Sequence, residues 1–271
     1  GFRRLVAWVA PRQPRQVVLE ATGGLEEAAL DALHAAGLPV VRLNARQGRD
    51  FARATGQLAK TDRLDARVLA HMAQAMTLTP YQPHAAWQRR LRQWVQRRQH
   101  VMRMLAQERQ RLDRMDDPVL RRSMQAHLRS LTAMLVTLDR GIKEQLAAQQ
   151  SLVPLGTVKG VGPGLQAMLA AQLPELGHIS GKEVAKLVGV APMARDSGKM
   201  RGKREIWGGR APIRQVLYMA ALSALRHEPR LREFYQGLRT RGKPAKVAIV
   251  AVMRKLLVIL NARMRDSLMP A

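Results

Sequence analysis

The feature that most restricts the fold is a pair of short, β-branched runs with a helical pattern between them. Val17-Val18-Leu19-Glu20 is an apolar run closed by a carboxylate, and Ala21-Thr22-Gly23-Gly24 is a turn that opens a helix from about Leu25 to Ala36. Gly37 stands where a helix C-terminal cap belongs, and after Pro39 the run Val40-Val41-Arg42-Leu43 is short and β-branched enough to be the next strand. Residues 17–43 therefore predict a βαβ unit, a parallel pair buried under helices. A further helix is expected from Thr61-Asp62, with one of the two as N-cap, through Leu64, Val68, Leu69, Met72 and Met76 to the break at Pro80.

From Ala86 to about Gln150 the pattern changes to long helices without strand signals. Leu120, Met124, Leu128, Leu131, Leu135, Leu138, Ile142 and Leu146 recur every three or four residues, and Asp116-Asp117-Pro118 separates this helix from the one before it. An αα-hairpin or coiled coil is expected, with Trp87, Leu91, Val95, Met102 and Leu105 as the seam of the first helix. Between Trp87 and Arg114 nine arginines face two acids, Glu108 and Asp113, which is either a solvated face or a phosphate-contacting one. Over the whole chain 46 Lys and Arg stand against 20 Asp and Glu, a formal charge of +26, and a polyanion is the first partner this implies.

The absence of cysteine excludes disulfides, Cys-ligated zinc, iron–sulfur clusters and cysteine nucleophiles, and fits an intracellular protein. The most apolar stretch, Val247 to Leu260, is interrupted by Arg254 and Lys255 and is shorter than the roughly 20 residues of a membrane span. No membrane helix and no signal peptide are expected.

After Leu152 glycine and proline return. Leu155 to Gly164 precedes an apolar helix, Leu165 to Leu173, and this helix, Gly160-Val161-Gly162 hairpin and helix has the form of a helix-hairpin-helix element, whose amides can hold a phosphate; an ordinary interhelix turn fits equally. Arg195, Lys199, Arg201, Lys203, Arg204, Arg210 and Arg214, interspersed with Gly198, Gly202, Gly208 and Gly209, read as a flexible basic loop leading into a helix from Ile213 to Arg226. A last helix, Pro244 to about Met264, is too apolar to be exposed and should form the core of this part.

Three carboxylates could carry chemistry. Glu20 closes a predicted strand, where ligands collect in open α/β sheets, and Asp62 and Asp65 share one helix face. Together they could hold Mg2+ or Mn2+ for phosphodiester chemistry. The competing reading makes Asp62 a cap and pairs Asp65 with Arg63 or Arg67 on the surface. Ser197 lies in the most basic Gly-rich loop; its hydroxyl is a potential nucleophile, although no local base is evident. The seven histidines show no metal-ligand spacing.

Taken together, Glu20-Ala21-Thr22-Gly23-Gly24, the run from Lys60 to Arg67, Gly160-Val161-Gly162-Pro163, Gly189-Val190-Ala191-Pro192, the segment from Arg195 to Ala221 and Gly242-Lys243-Pro244 resemble the IS one-ten type of bacterial insertion-sequence transposases, in the right order over almost the whole chain. The resemblance implies α/β plus all-α architecture: a RuvC-like domain of RNase H fold at 1–79, a basic helical hairpin or coiled coil at 80–150, and a helical transposase domain at 151–271. It implies Glu20, Asp62 and Asp65 as three of the four DEDD acids, holding Mg2+ or Mn2+, and Ser197 as a nucleophile that forms a phosphoserine link to DNA. It also implies donor and target DNA, a non-coding bridge RNA and a homodimer or homotetramer, in the bacterial cytoplasm and on the nucleoid when DNA is bound.

Nucleic-acid contacts are expected at Arg89, Arg90, Arg97, Arg98, Lys159, Gly160, Gly162, Arg195, Lys199, Arg201, Lys203, Arg204, Arg210 and Arg214. The family's first acid lies on a strand upstream of Glu20, and the 19 residues before Glu20 contain no Asp or Glu, so an N-terminally truncated member is expected. Two rivals predict different outcomes: a metal-dependent junction nuclease that uses water in place of Ser197, and an inactive remnant that only binds nucleic acid.

Overall fold

The computed structural model describes residues 1–268 apart from Lys60, Arg195, Lys199 and Lys203, and the chain divides into two compact units, Gly1–His84 and Ala85–Ala271. The first unit runs α1 (Phe2–Val9), β1 (Val17–Glu20), α2 (Glu27–Ala35), β2 (Val40–Leu43), α3 (Ala45–Ala54) and α4 (Asp62–Ala75). β1 and β2 pair in parallel, Val17 opposite Val40 and Glu20 opposite Leu43, as the β-branched runs and the intervening helix predict. Gly37 takes a left-handed φ of 75° just past α2, where a side chain would be strained. Leu30 and Leu33 of α2 close over Val40 with Val9 and Tyr81 as a small core. Tyr81 extends the structure beside β2 by donating its N–H to the Val40 carbonyl at 2.7 Å, and its hydroxyl donates to Asp31 at 2.8 Å.

α3 has no counterpart in the sequence reading. Its residues, Ala45-Arg46-Gln47-Gly48-Arg49-Asp50, are polar and include a glycine, so no apolar periodicity marks it. The local signal is its cap: Asn44 accepts the Arg46 N–H at 2.9 Å. α2 begins at Glu27 rather than Leu25, because Gly23 and Gly24 both have positive φ and Leu25 remains in the exposed turn.

The second unit opens with two long helices, α5 (Ala86–Leu112) and α6 (Pro118–Ala147), packed along each other. Asp117 caps α6 by accepting the Val119 and Leu120 N–H groups, and Pro118 fits the first helical position, where an amide would be unpaired anyway. Val101 and Leu105 meet Leu131, Leu135 and Leu138 in the seam. Two expectations fail here: Met102 and Leu120 are exposed, and Val101 takes the place in the seam assigned to Met102. Gly141 makes a slot for Trp94, whose ring would lie 2.2 Å from any Cβ at that position.

The chain continues through α7 (Val153–Gly156), α8 (Pro163–Gln172), α9 (Gly181–Val188), the short strands β3 (Pro192–Met193), β4 (Asp196–Ser197), β5 (Met200–Arg201) and β6 (Glu205–Ile206), then α10 (Ala211–His227), α11 (Pro229–Thr240) and α12 (Ala245–Leu268). α12 is buried along its length, from Ala248 to Met264, and packs against α9, α10 and α11. Leu91, Val95, Ile142 and Leu146 belong to the same core as α8 and α12, so the base of the long hairpin and the C-terminal helices share one hydrophobic interior. Inside it Asn261 is fully paired, its Oδ1 accepting the Gly177 N–H at 2.9 Å and its Nδ2 donating to the Ile179 carbonyl at 2.8 Å. No described helix is long and apolar enough to cross a membrane.

Candidate active site

In the first unit, the end of β1 and the first turn of α4 face one cleft. Glu20 and Asp65 both line it, together with Gly48, Arg49, Ala52 and Gln57, around a cavity of about 20 Å³. Thr61 fixes the start of α4 by accepting the Leu64 N–H at 3.3 Å, which places Asp62 and Asp65 in the first turn, where the helix dipole favours anions. α3 passes beside this carboxylate: a Cβ at Gly48 would sit 3.9 Å from Glu20 Oε2, in ordinary van der Waals contact. Asp62 is exposed and does not line this cleft, and among the described residues no group of three acids, histidines or cysteines could hold a metal ion. Glu20 and Asp65, the acids that line this cleft, are the residues that could hold a hard divalent cation of the kind bound by one or two carboxylates and completed by water and phosphate oxygens.

Sequence reasoning missed Glu26. It is 5% exposed and, among the described residues, the one charged side chain in the interior. Its Oε2 accepts the Thr22 N–H at 3.0 Å, the Thr22 hydroxyl at 3.1 Å and the Gly24 N–H at 2.9 Å. Oε1 faces Arg42 Nε at 3.1 Å, an ion pair without hydrogen-bond alignment. Burial pushes its pKa up, but the backbone amides of Glu26, Thr22 and Gly24 and the Thr22 hydroxyl more than offset this, and the carboxyl lies below its ordinary value. Glu26 thus ties the turn that follows Glu20 to the neighbouring strand. The signal was a Glu two residues beyond a Gly-Gly turn, which also fits an ordinary first-turn acid.

In the second unit, the predicted flexible loop is a β-hairpin. β3 pairs antiparallel with β6, Pro192 opposite Ile206, and β4 pairs with β5, Asp196 opposite Arg201 and Ser197 opposite Met200. Gly198 turns the chain with a φ of 54°, so Ser197 is exposed beside the hairpin tip. Asp196 accepts the Gly202 N–H at 3.2 Å and faces Arg204 at 3.9 Å. The base of the hairpin is clamped: a Cβ on Gly209 would lie 2.3 Å from the Gly189 nitrogen, and one on Gly189 would lie 2.3 Å from the Gly208 carbonyl oxygen.

Several residues expected at a phosphate have structural partners instead. Arg98 bridges the long hairpin through Asp139, at 2.5 Å and 3.3 Å. Arg210 makes a two-pronged pair with Glu175, at 2.7 Å and 2.6 Å, and donates to the Gln172 carbonyl at 2.7 Å, closing the end of α8. Arg214 donates to the Gly208 carbonyl at 2.6 Å and the Val188 carbonyl at 3.2 Å. Gly160, with a φ of 88°, lies where a Cβ would meet the Ala224 backbone at 2.5 Å, so packing against α10 accounts for this glycine without a ligand. Gly162 is the N-cap of α8, whose first turn borders a cavity of about 290 Å³ with Arg98 and Lys143. Arg89, Arg90, Arg97 and Lys159 are exposed, and Arg97 reaches Met134 Sδ at 3.4 Å across the hairpin. Arg195, Lys199 and Lys203 lie outside the described residues, as does the side chain of Arg201.

Comparison with known proteins matches both parts of the chain. Residues 1–117 match a transposase family of the DEDD IS110 type, and residues 154–236 match the family described as Transposase IS116/IS110/IS902. The chain carries two IS110-family transposase domains. Members of this family are DNA-cleaving and DNA-joining enzymes, and a DEDD-type site suggests dependence on a divalent metal. Among the relatives, the pilin gene-inverting protein of Moraxella bovis is 27% identical over 281 residues, covering 98% of this chain and 86% of the relative. That of Moraxella lacunata is 26% identical over the same shares. The 42 kDa uncharacterized protein of insertion element IS900 from Mycobacterium paratuberculosis is 34% identical over 109 residues, 40% of this chain and 27% of the relative.

Proposed function

We propose that this chain, with its IS110-family transposase domains, cleaves and rejoins DNA strands with Ser197 as nucleophile, that Glu20 of β1 and Asp65 of α4 hold the divalent metal, with Asp62, outside their cleft, able to join them only on rearrangement, and that a non-coding RNA guides it to its DNA. The observation that carries the reading is the placement of Ser197: an exposed hydroxyl beside the tip of a hairpin in the chain's most basic segment, whose foot is a close backbone contact between Gly189 and Gly209. The names of the two Moraxella relatives, which describe inversion of a gene, support cleavage followed by rejoining. On this reading the first unit is a RuvC-like domain, and the protein works as a homodimer or homotetramer in the bacterial cytoplasm.

In the reaction the Ser197 hydroxyl attacks a scissile phosphate; the Oγ–P bond forms and the bond from phosphorus to the departing sugar oxygen breaks. The serine proton leaves to water, and the sugar oxygen takes one up. Each phosphodiester becomes one phosphoserine ester, so attack by another sugar hydroxyl can restore a DNA bond without a nucleotide cofactor. Arg204, two-thirds exposed and only loosely paired with Asp196 at 3.9 Å, would neutralise charge on the phosphate. A metal held by Glu20 and Asp65 would supply Lewis-acid stabilisation of phosphate oxygens. The test is to express the chain with its flanking non-coding DNA, denature it, and look for DNA covalently attached to protein. An adduct lost in Ser197→Ala and in Asp65→Asn supports the proposal; cleavage that survives Ser197→Ala but not Asp65→Asn favours water as nucleophile, and binding without cleavage favours a remnant.

A further inference from the structure

Arg49 is the one cation among the described residues that line the cleft of Glu20 and Asp65. It lies on α3, and the residue before it seats that helix: Gly48 is buried, and a Cβ built there would lie 3.5 Å from Leu69 Cδ2 and 3.6 Å from Leu43 Cδ2. Leu69 is one turn beyond Asp65 on the same face of α4, and Leu43 stands opposite Glu20 in the sheet, so the contacts that seat α3 also set Arg49 beside both acids. Arg46, Arg49 and Arg53 share one side of α3 at spacings of three and four residues. Asp50 is divided between Arg46 at 3.8 Å and Arg53 at 3.9 Å, while among the described residues no carboxylate pairs with Arg49, Glu20 and Asp65 included.

We infer that Arg49 is a phosphate ligand of this cleft, holding the scissile phosphodiester of the DNA strand and contributing most as negative charge develops on it. Two carboxylates and one divalent ion make a formally neutral site, whereas a phosphodiester is an anion whose charge rises as a nucleophile adds. The cleft therefore needs a further cation to hold that group. A guanidinium that lies beside two carboxylates without pairing to either keeps its donors for a third partner, and its planar fork matches two phosphate oxygens at once. The inference rests on the proposed reading of Glu20 and Asp65 as the acids that hold the metal.

The test uses the full chain co-expressed with its flanking non-coding DNA, and a labelled fragment of that DNA. Two quantities are read: the rate of protein–DNA adduct formation at saturating DNA and, with the metal chelated, the salt slope of DNA binding. Arg49→Ala lowers the rate about 100- to 1,000-fold at an unchanged unfolding midpoint and reduces the slope by about one. Arg49→Lys recovers part of the rate and the full slope, because it keeps the charge but not the fork. Arg53→Ala, on the same side of α3 but outside the cleft, leaves the rate at its native value. A native rate in Arg49→Ala, or an equal loss in Arg53→Ala, overturns the inference while the roles of Ser197, Glu20 and Asp65 stand. A native chain that forms no adduct overturns the Ser197 reading instead, and the slope then decides for Arg49: a drop of about one in Arg49→Ala keeps it as a phosphate ligand, and an unchanged slope removes it.

Discussion

Replacing Glu26 tests whether the turn after Glu20 is held by one buried carboxylate. Glu26→Ala removes three hydrogen bonds to Oε2, at 3.0, 3.1 and 2.9 Å, and the pairing with Arg42. Hydrogen bonds to an ionised acceptor are each worth about 1.5–3 kcal/mol, but Thr22 is exposed and its donors can regain water, so the expected loss is about 3 kcal/mol in total. In a unit the size of Gly1–His84 this lowers the unfolding midpoint by roughly 12–24 °C. Glu26→Gln keeps an acceptor oxygen and loses only the charge, about half that cost. The pH dependence is a separate check. The native pKa lies below the ordinary 4.5, so the stabilisation is complete above 4.5 and disappears as pH falls through the native value. A calorimetric pH series downward from pH 7 should therefore show a gap between native chain and Glu26→Gln that is full above pH 4.5 and narrows as the pH falls below it, and hydrogen exchange should accelerate first at 19–26. A gap that widens as the pH falls below 4.5, or a Glu26→Ala loss under about 1 kcal/mol, would refute the reasoning.

Gly160→Ala forces a Cβ to 2.5 Å from the Ala224 backbone at a φ of 88°, and should cost about 3 kcal/mol of second-unit stability in urea unfolding without changing the salt slope of nucleic-acid binding. Arg210→Ala opens a pair whose side chains are one-third exposed, so about 2 kcal/mol of stability is lost with the salt slope intact, whereas Arg97→Ala leaves stability within about 0.5 kcal/mol and, if Arg97 touches a phosphate, reduces the slope by about one. Tyr81→Phe removes the bond to Asp31 and costs about 1 kcal/mol at pH 7. Burial, then Asp31, raises the Tyr81 pKa above its ordinary 10, so this stabilisation is present below pH 10 and lost as pH rises beyond it; the native chain should lose its advantage over Tyr81→Phe in strong alkali.

The elements legible in the sequence are those with a long period or a hard stop. β1, α2 and β2 show β-branched runs separated by a glycine cap, and α6 shows eight apolar residues at helical spacing behind Asp117-Pro118. α3 was illegible because it is polar and is held by Gly48 fitting beside Leu43 and Leu69, contacts made only after the unit has folded. The four strands at 192–206 were illegible for another reason: two residues each cannot display an alternation, and their register comes from the turn at Gly198.

The candidate site divides in the same way. Glu20 and Asp65 were legible because a carboxylate at a strand end and another in a capped first turn have defined directions, and the structure turns both into one cleft. Arginine carries no such direction. Arg98, Arg210 and Arg214 look like phosphate ligands in a chain of +26, yet each is used up by a carboxylate or carbonyl distant in sequence. The glycines of the basic segment were misread in the opposite sense, as flexibility. Gly209 and Gly189 are small because two backbones touch there, at the foot of the hairpin. On the proposed mechanism, a serine on a paired strand starts from fewer orientations than one on an irregular loop, which lowers the entropy lost at each encounter with DNA.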